Sequence, residues 1–144
     1  MLVAAKATGR KTFRDVAKQS MQFLTDTLVV KDRLEIIGNN GWYLRGGERA
    51  WYDQQSVDAG YTVYLFCKAY ELWGIQEFLD LAKTAFGWFF GNNRSAVWVY
   101  EPETKGCYDA ITPWGLNLNQ GAEASICCLL AQLAMANSEG TAGK

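Results

Sequence analysis

The chain of 144 residues contains no histidine. This absence excludes Ser-His and Cys-His nucleophile pairs, and it excludes zinc sites that depend on imidazole. General acid–base chemistry in this protein would therefore fall to carboxylates, tyrosine, lysine or cysteine. The four cysteines show no CxxC spacing, and Cys127 and Cys128 are neighbours in an apolar stretch. We expect buried free thiols, and we expect no metal ion and no cofactor.

Excess charge and long apolar runs are also lacking. The formal net charge is -1, and no basic stripe is present, so we expect no nucleic-acid partner. No apolar run approaches the roughly 20 residues that a membrane span requires. The start of the chain, LVAAKATGRK after Met1, lacks the apolar core of a signal peptide. We therefore expect a cytoplasmic protein that does not engage a membrane.

The composition, with 49% apolar and 20% charged residues, is that of one globular domain over residues 1–144. Apolar residues recur with helical periodicity in four segments. These predicted helices cover residues 12–28, with Thr12 as N-cap, 56–72, 75–90 and 121–136. The small polar tail from residue 137 is expected to fray. Strand composition occurs only in residues 33–37 and 96–100.

The link Trp73-Gly74 is so short that the second and third helices must form an antiparallel hairpin. The first and third helices are amphipathic, whereas the second and fourth are apolar, which predicts an outer and an inner layer. In an up-down arrangement the two inner helices run parallel. Their N-termini, and the two long loops that precede them, should therefore share one end of the domain.

Those two loops carry most of the polar-aromatic residues. Residues 38–55 read GNNGWYLRGGERAWYDQQ, and residues 100–123 read YEPETKGCYDAITPWGLNLNQGAE. Amides and carboxylates offer hydrogen-bond donors and acceptors, which suits a polyhydroxylated ligand, and flat rings can lie against the C–H faces of a sugar. The loops therefore predict a carbohydrate site at the shared end of the inner helices.

These loops, together with FLDLAKTAFGWFFGNNR, resemble the C-terminal part of (α/α) toroid domains of the six-hairpin glycosidase-like class. The resemblance covers residues 12–135 and includes the bacterial, glycosyltransferase-associated members. It implies an all-α fold in which antiparallel αα-hairpins form a segment of a toroid, with short β-like stretches in the two long loops. It also implies a carbohydrate-active domain.

The candidate site residues follow from the loops and from this resemblance. Glycoside hydrolysis uses a pair of carboxylates, and the candidates for catalysis are Asp58, Asp109 and Glu123. The candidates for substrate binding are Trp42, Arg45, Arg49, Asp53, Gln54, Gln55, Tyr108, Asn117, Asn119 and Gln120. We expect Asp53, Gln54, Asn119, Gln120 and Glu123 to converge, with Trp42 and Tyr108 at the rim.

Structural roles compete with each of these assignments. The acidic residues at the helix starts could serve as caps, the two arginines could form internal salt bridges, and the tryptophans could pack in the core. A different function also fits. The chain has about four helices where a full toroid has about a dozen, and Thr112 and Pro113 stand where related loops often have histidine. The alternative is a non-catalytic sugar-binding or assembly fragment of a larger glycosyltransferase system.

The fourth helix also predicts a protein partner. Its apolar residues Ile126, Leu129, Leu130 and Leu133 form a face that is too large to leave in water. We therefore expect a homo-oligomer, most simply a two-fold dimer, or association with a larger chain. A carbohydrate ligand is the other expected partner.

Overall fold

A computed structural model describes residues 1–142 and corrects the predicted all-α class. The fold is mixed, with 54% helix, 13% strand and two small antiparallel sheets. The helices are α1 (Leu2–Thr8), α2 (Lys11–Leu28), α3 (Ser56–Trp73), α4 (Gln76–Phe86) and α5 (Ala122–Ala142). The strands are β1 (Val29–Val30), β2 (Arg33–Leu34), β3 (Gln54–Gln55), β4 (Ala110–Thr112) and β5 (Gly115–Asn117).

The second of the two sheets is the main reason that the fold is mixed and not all-α. Strands β3, β4 and β5 are hydrogen-bonded in that order, and both pairs are antiparallel. Gln54 lies opposite Ile111, and Gln55 lies opposite Ala110. Backbone N–H and C=O groups in a partly buried loop need partners, and here the two long loops supply partners to each other. The loops are therefore joined by a short ladder rather than lying side by side as irregular chain.

The four predicted helices are present with shifted ends. Helix α2 begins at Lys11, and its N-cap is Arg10 rather than Thr12. Helix α4 ends at Phe86 and continues as a 3₁₀ turn, Gly87–Phe89. Helix α5 runs through Ala142, past the point where fraying was expected. The short helix α1, whose Leu2 and Ala5 are buried, was not predicted.

Helices α3 and α5 pack side by side and run parallel, as predicted. Near their N-termini, a Cβ atom built on Gly60 would lie 2.7 Å from the carbonyl oxygen of Cys127. Seven residues further along α3, the Cys67 sulfur lies 3.6 Å from the Met135 sulfur of α5. The residue pairs advance together along both helices, so both helices begin at the same end of the domain.

Burial is less complete than the apolar sequences of α3 and α5 suggested. Ala59, Val63 and Phe66 of α3 are fully buried, and Leu79 and Ala82 of α4 cover one side of the pair. The other side is open. The exposed large residues on that side are Tyr61, Tyr64, Ile126, Leu129, Leu130 and Leu133. Each inner helix is therefore packed on only part of its circumference.

The contact at Gly60 yields a stability prediction. Gly60→Ala should destabilise the protein by about 1–2 kcal/mol, because the new methyl group meets helix backbone that cannot rotate away, and this outweighs the helical preference of alanine. Chemical denaturation measures the free energy of unfolding. The matched control is Gly140→Ala in α5, where no heavy atom lies within 4 Å of the added Cβ. Equal stability of the two variants would contradict the close α3–α5 packing.

Candidate functional site

A groove of about 610 Å³ lies where α3 begins, between the C-terminal half of α2 and the loop that follows β2. We call it the Asp58 groove. Its aromatic residues are Trp42, Tyr43 and Tyr61, and its polar residues are Asn39, Asp58 and Thr62. Aliphatic side chains from α2, the loop and α3 form the remaining wall. Largely apolar grooves with a few convergent polar groups are typical ligand sites.

The aromatic residues of the groove are available to a ligand. Trp42 is 63% exposed and Tyr61 is 60% exposed, so neither ring is committed to the core. Trp42 has a φ of 60°, a left-handed backbone conformation that is uncommon for a bulky residue. The structure holds it there through a hydrogen bond of 2.8 Å from the Ala50 amide to the Trp42 carbonyl, and through pairing of Tyr43 with Arg49. Such strained positions cluster at functional sites.

Asp58 is the acidic residue of the groove. It lies in the first turn of α3, and Glu123 lies in the first turn of α5, so the parallel packing brings the two carboxylates to the same end. Asp58 keeps solvent access, but partial desolvation raises its pKa, and the neighbouring charge of Glu123 raises the pKa further. A carboxyl group that keeps its proton more readily than usual is suited to general acid chemistry.

Asp109 has a structural role. One carboxylate oxygen accepts a hydrogen bond of 2.8 Å from the Gly121 amide, and the other accepts one of 2.5 Å from the Asn119 side chain. Its backbone carbonyl accepts a hydrogen bond from the Ser56 amide, at 3.1 Å. Asp109 therefore satisfies free amides at the starts of both α5 and α3.

Gln54, a predicted ligand contact, is completely buried. Its amide nitrogen donates to the carbonyls of Ile36 and Trp51, both at 3.1 Å, and its amide oxygen accepts from the Trp88 indole at 3.0 Å. The Glu35 carboxylate lies 3.3 Å from the same nitrogen. Because the Gln54 side chain is buried and bonded to these groups, it ties the end of the first loop to the core and is not accessible to a ligand.

Glu35 is the buried centre of this network, and sequence reasoning missed it. Its carboxylate forms ion pairs with Arg33 at 2.6 Å and with Arg94 at 3.0 Å. Arg94 also lies 4.1 Å from the centre of the Trp51 ring. The available signal was Glu35 inside the apolar segment RLEII, because a glutamate is seldom buried unless it is paired.

The arginines of the first loop have different surroundings. The Arg49 guanidinium donates to the backbone carbonyls of Thr27 and Glu35, and it lies 4.8 Å from the centre of the Trp51 ring. Desolvation lowers the pKa of Arg49. Arg49 therefore anchors the first loop to the end of α2, whereas Arg45 is exposed at the tip of that loop.

The remaining predicted ligand contacts form local links. In the second loop, the Tyr108 hydroxyl donates to Glu101 at 2.7 Å, Thr104 donates to the Gln120 side chain at 2.8 Å, and Asn117 accepts from the Asn119 amide at 3.1 Å. In the first loop, the half-buried Asp53 accepts the Asn39 amide through its carbonyl, at 3.2 Å, and Gln55 is half-buried in β3.

The two predicted loops thus meet at their backbones, but most of the residues that line the groove are a different set. Trp42 and Asp58 were predicted and line the groove, and Glu123 lies close to Asp58. Asn39, Tyr43, Tyr61 and Thr62 were not predicted. Tyr61 lies in the helix that was predicted for the inner layer because of its apolar sequence, and Asn39 and Tyr43 lie within the loop that was singled out.

Comparison with known proteins assigns no family. Neither a protein-family model nor a curated protein matches the chain. Within residues 1–142, no helix is long and apolar enough to cross a membrane. In the same part of the chain, no group of three or more cysteine or acidic residues is arranged to hold a metal ion. The function must therefore be argued from the groove itself.

The buried position of Gln54 yields a prediction about stability and not about ligand binding. Gln54→Ala should lower the free energy of unfolding by about 3 kcal/mol, because it leaves the buried Trp88 indole without its acceptor and opens a cavity. Urea denaturation checks this value. The control is Gln55→Ala at the half-buried neighbouring position, which should cost much less. A Gln54→Ala variant as stable as the wild type would contradict the network.

Glu123 yields a second prediction. Glu123→Gln should lower the pKa of Asp58, because it removes the like charge that helps to keep the proton on Asp58. The ¹³C carboxyl shift of Asp58, followed by NMR as a function of pH, measures this pKa. Glu77→Gln on α4 is the control and should leave the Asp58 titration unchanged. An unchanged Asp58 pKa in Glu123→Gln would mean that the two carboxylates do not interact.

Proposed function

We propose that this protein binds a carbohydrate in the Asp58 groove. The observation that carries the proposal is the presence of three accessible aromatic rings and one accessible carboxylate in a single groove. The rings of Trp42, Tyr43 and Tyr61 pack against C–H faces of the sugar. The Asp58 carboxylate accepts hydrogen bonds from sugar hydroxyls.

The chemistry of the other polar residues supports a polyhydroxylated ligand. Asn39 supplies both a donor and an acceptor, and the Thr62 hydroxyl can do the same. A sugar hydroxyl also donates and accepts, so each such group can find a complementary partner. The apolar walls suit the less polar faces of the ring. Anionic ligands fit less well, because Asp58 is the charged residue among the side chains that line the groove.

A second candidate function is hydrolysis of a glycosidic bond, and the raised pKa of Asp58 beside Glu123 favours it. In this scheme Asp58, in its protonated form, donates a proton to the glycosidic oxygen as the bond to the anomeric carbon breaks. Glu123 activates the water that attacks this carbon, or attacks it directly before water completes the reaction. Of the three predicted acids, only Asp109 is committed to capping, which leaves this pair.

Binding can be tested by titration with a panel of mono- and oligosaccharides, followed by saturation-transfer NMR. A single sugar should bind with a dissociation constant of roughly a millimolar, because few contacts offset desolvation and lost motion. Tyr61→Ala and Asp58→Asn should each weaken binding about tenfold or more. If the protein releases new reducing ends from an oligosaccharide, and if this release requires both Asp58 and Glu123, the protein also hydrolyses glycosidic bonds.

The control variant is Trp114→Ala, at the turn between β4 and β5, where the side chain is 94% exposed and lies outside the groove. It should bind the sugar as the wild type does. Loss of binding in Trp114→Ala with retention in Tyr61→Ala would place the sugar on the β4–β5 turn. Either that result or an absence of binding across the panel would contradict the proposal.

A further inference from the structure

One side of the α3–α5 pair presents a continuous apolar face. We define the open face as Tyr61, Tyr64, Ile126, Leu129, Leu130 and Leu133, whose side chains are 41–60% exposed. The four α5 residues follow the spacing i, i+3, i+4 and i+7, so they form one stripe along the helix. This is the spacing with which a helix packs against another helix.

The chain exposes more surface than a typical folded monomer of its mass. The chain exposes 8500 Å². A folded monomer of this mass exposes about 7,400 Å², so the surplus is about 1,100 Å². A stable protein–protein interface buries about 800 Å² on each partner. The surplus is therefore large enough to account for one interface of standard size.

The charge distribution favours a partner of the same kind. Residues 124–138 of α5 contain no charged side chain, so two copies of the stripe can approach without like-charge repulsion. The acidic residues Asp58 and Glu123 lie together at one end of the face. Lys68, which pairs with Glu71, lies towards the other end of α3. Glu71 and Glu139 lie at that end as well, so the antiparallel arrangement is favoured because it keeps the Asp58–Glu123 ends of the two copies apart, and not because opposite charges pair.

The shape of the open face is also self-complementary. A hollow of about 290 Å³ lies between α3 and α5, lined by Gly60, Tyr61, Tyr64, Cys127 and Leu130. It lies where Gly60 lets the two helices approach closely. Leucine side chains project on the same face, beside the hollow. A two-fold interface requires each surface to carry both the projection and the recess that accepts it.

We propose that two copies of this chain associate through their open faces, with the two α5 helices antiparallel across a two-fold axis. Leucines of each α5 enter the hollow between α3 and α5 of the other copy. The proposal concerns assembly, and its test does not require sugar binding; Tyr61 lies at the border of the open face and the Asp58 groove and is shared by both.

Sedimentation equilibrium tests the proposal directly. The wild type should be a dimer at tens of micromolar. The double variant Leu129→Gln/Leu133→Gln should raise the dimer dissociation constant at least about 100-fold, because it makes polar two leucines that the proposed interface would bury. The matched control Phe23→Gln/Leu118→Gln changes two apolar side chains outside the open face that are somewhat more exposed than Leu129 and Leu133, and it should remain dimeric.

A second measurement uses only the wild-type protein, so it is independent of how the variants fold. In an equal mixture of isotope-labelled and unlabelled chains, filtered NMR should show intermolecular contacts from the Leu129 and Leu133 methyl groups. A wild-type monomer at high micromolar concentration would overturn the proposal. So would open-ended oligomers, or a dimer that the control variant disrupts and the face variant does not.

Discussion

The close approach of α3 and α5 at Gly60 determines most of what this protein presents to its surroundings. The two helices are near enough that a methyl group at Gly60 would collide with the backbone of Cys127. Because they run parallel, their first turns lie together, and this places Asp58 beside Glu123. The same approach leaves the hollow beside Leu130, and it brings the loops that precede both helices within pairing distance.

The loops are then fixed by buried polar contacts. Glu35 pairs with Arg33 and Arg94, Gln54 bonds to Trp88, and Asp109 caps α5 while its carbonyl accepts the first amide of α3. Buried polar groups of this kind are costly unless every member is satisfied. Their effect is to hold the backbone rigid while the rings at the loop surface remain free. Much of the polar chemistry that resembled a ligand site therefore serves the scaffold, and a smaller set of residues faces the groove.

Sequence patterns predicted the elements whose signal is local. Helical periodicity located α2, α3, α4 and α5, and the short link at Gly74 predicted that α4 turns back along α3. The β3–β4–β5 sheet could not be found this way, because each strand has two or three residues and Gln54 pairs with Ile111, far along the chain. The all-α assignment failed for that reason.

The site was predicted only in part, for a related reason. Side chains alternate between the two faces of a strand, so one residue of register decides that Gln54 is buried and Gln55 is partly accessible. Nothing in the sequence fixes that register. Tyr61 was not among the predicted site residues because its apolar helix was predicted to lie in the inner layer, whereas α3 is covered on only part of its circumference. The partners of α3, rather than its own sequence, determine which of its residues are exposed.

The central proposal is that the groove formed by α2, the loop after β2 and the start of α3 binds a carbohydrate at Asp58. The most direct test is to map the ¹H–¹⁵N chemical shifts of the labelled protein as an oligosaccharide that binds to it is added. The account predicts that the shifts concentrate at Trp42, Tyr43, Asp58 and Tyr61, while the β4–β5 turn at Trp114 remains unchanged. Shifts confined to the second loop or to that turn would contradict it.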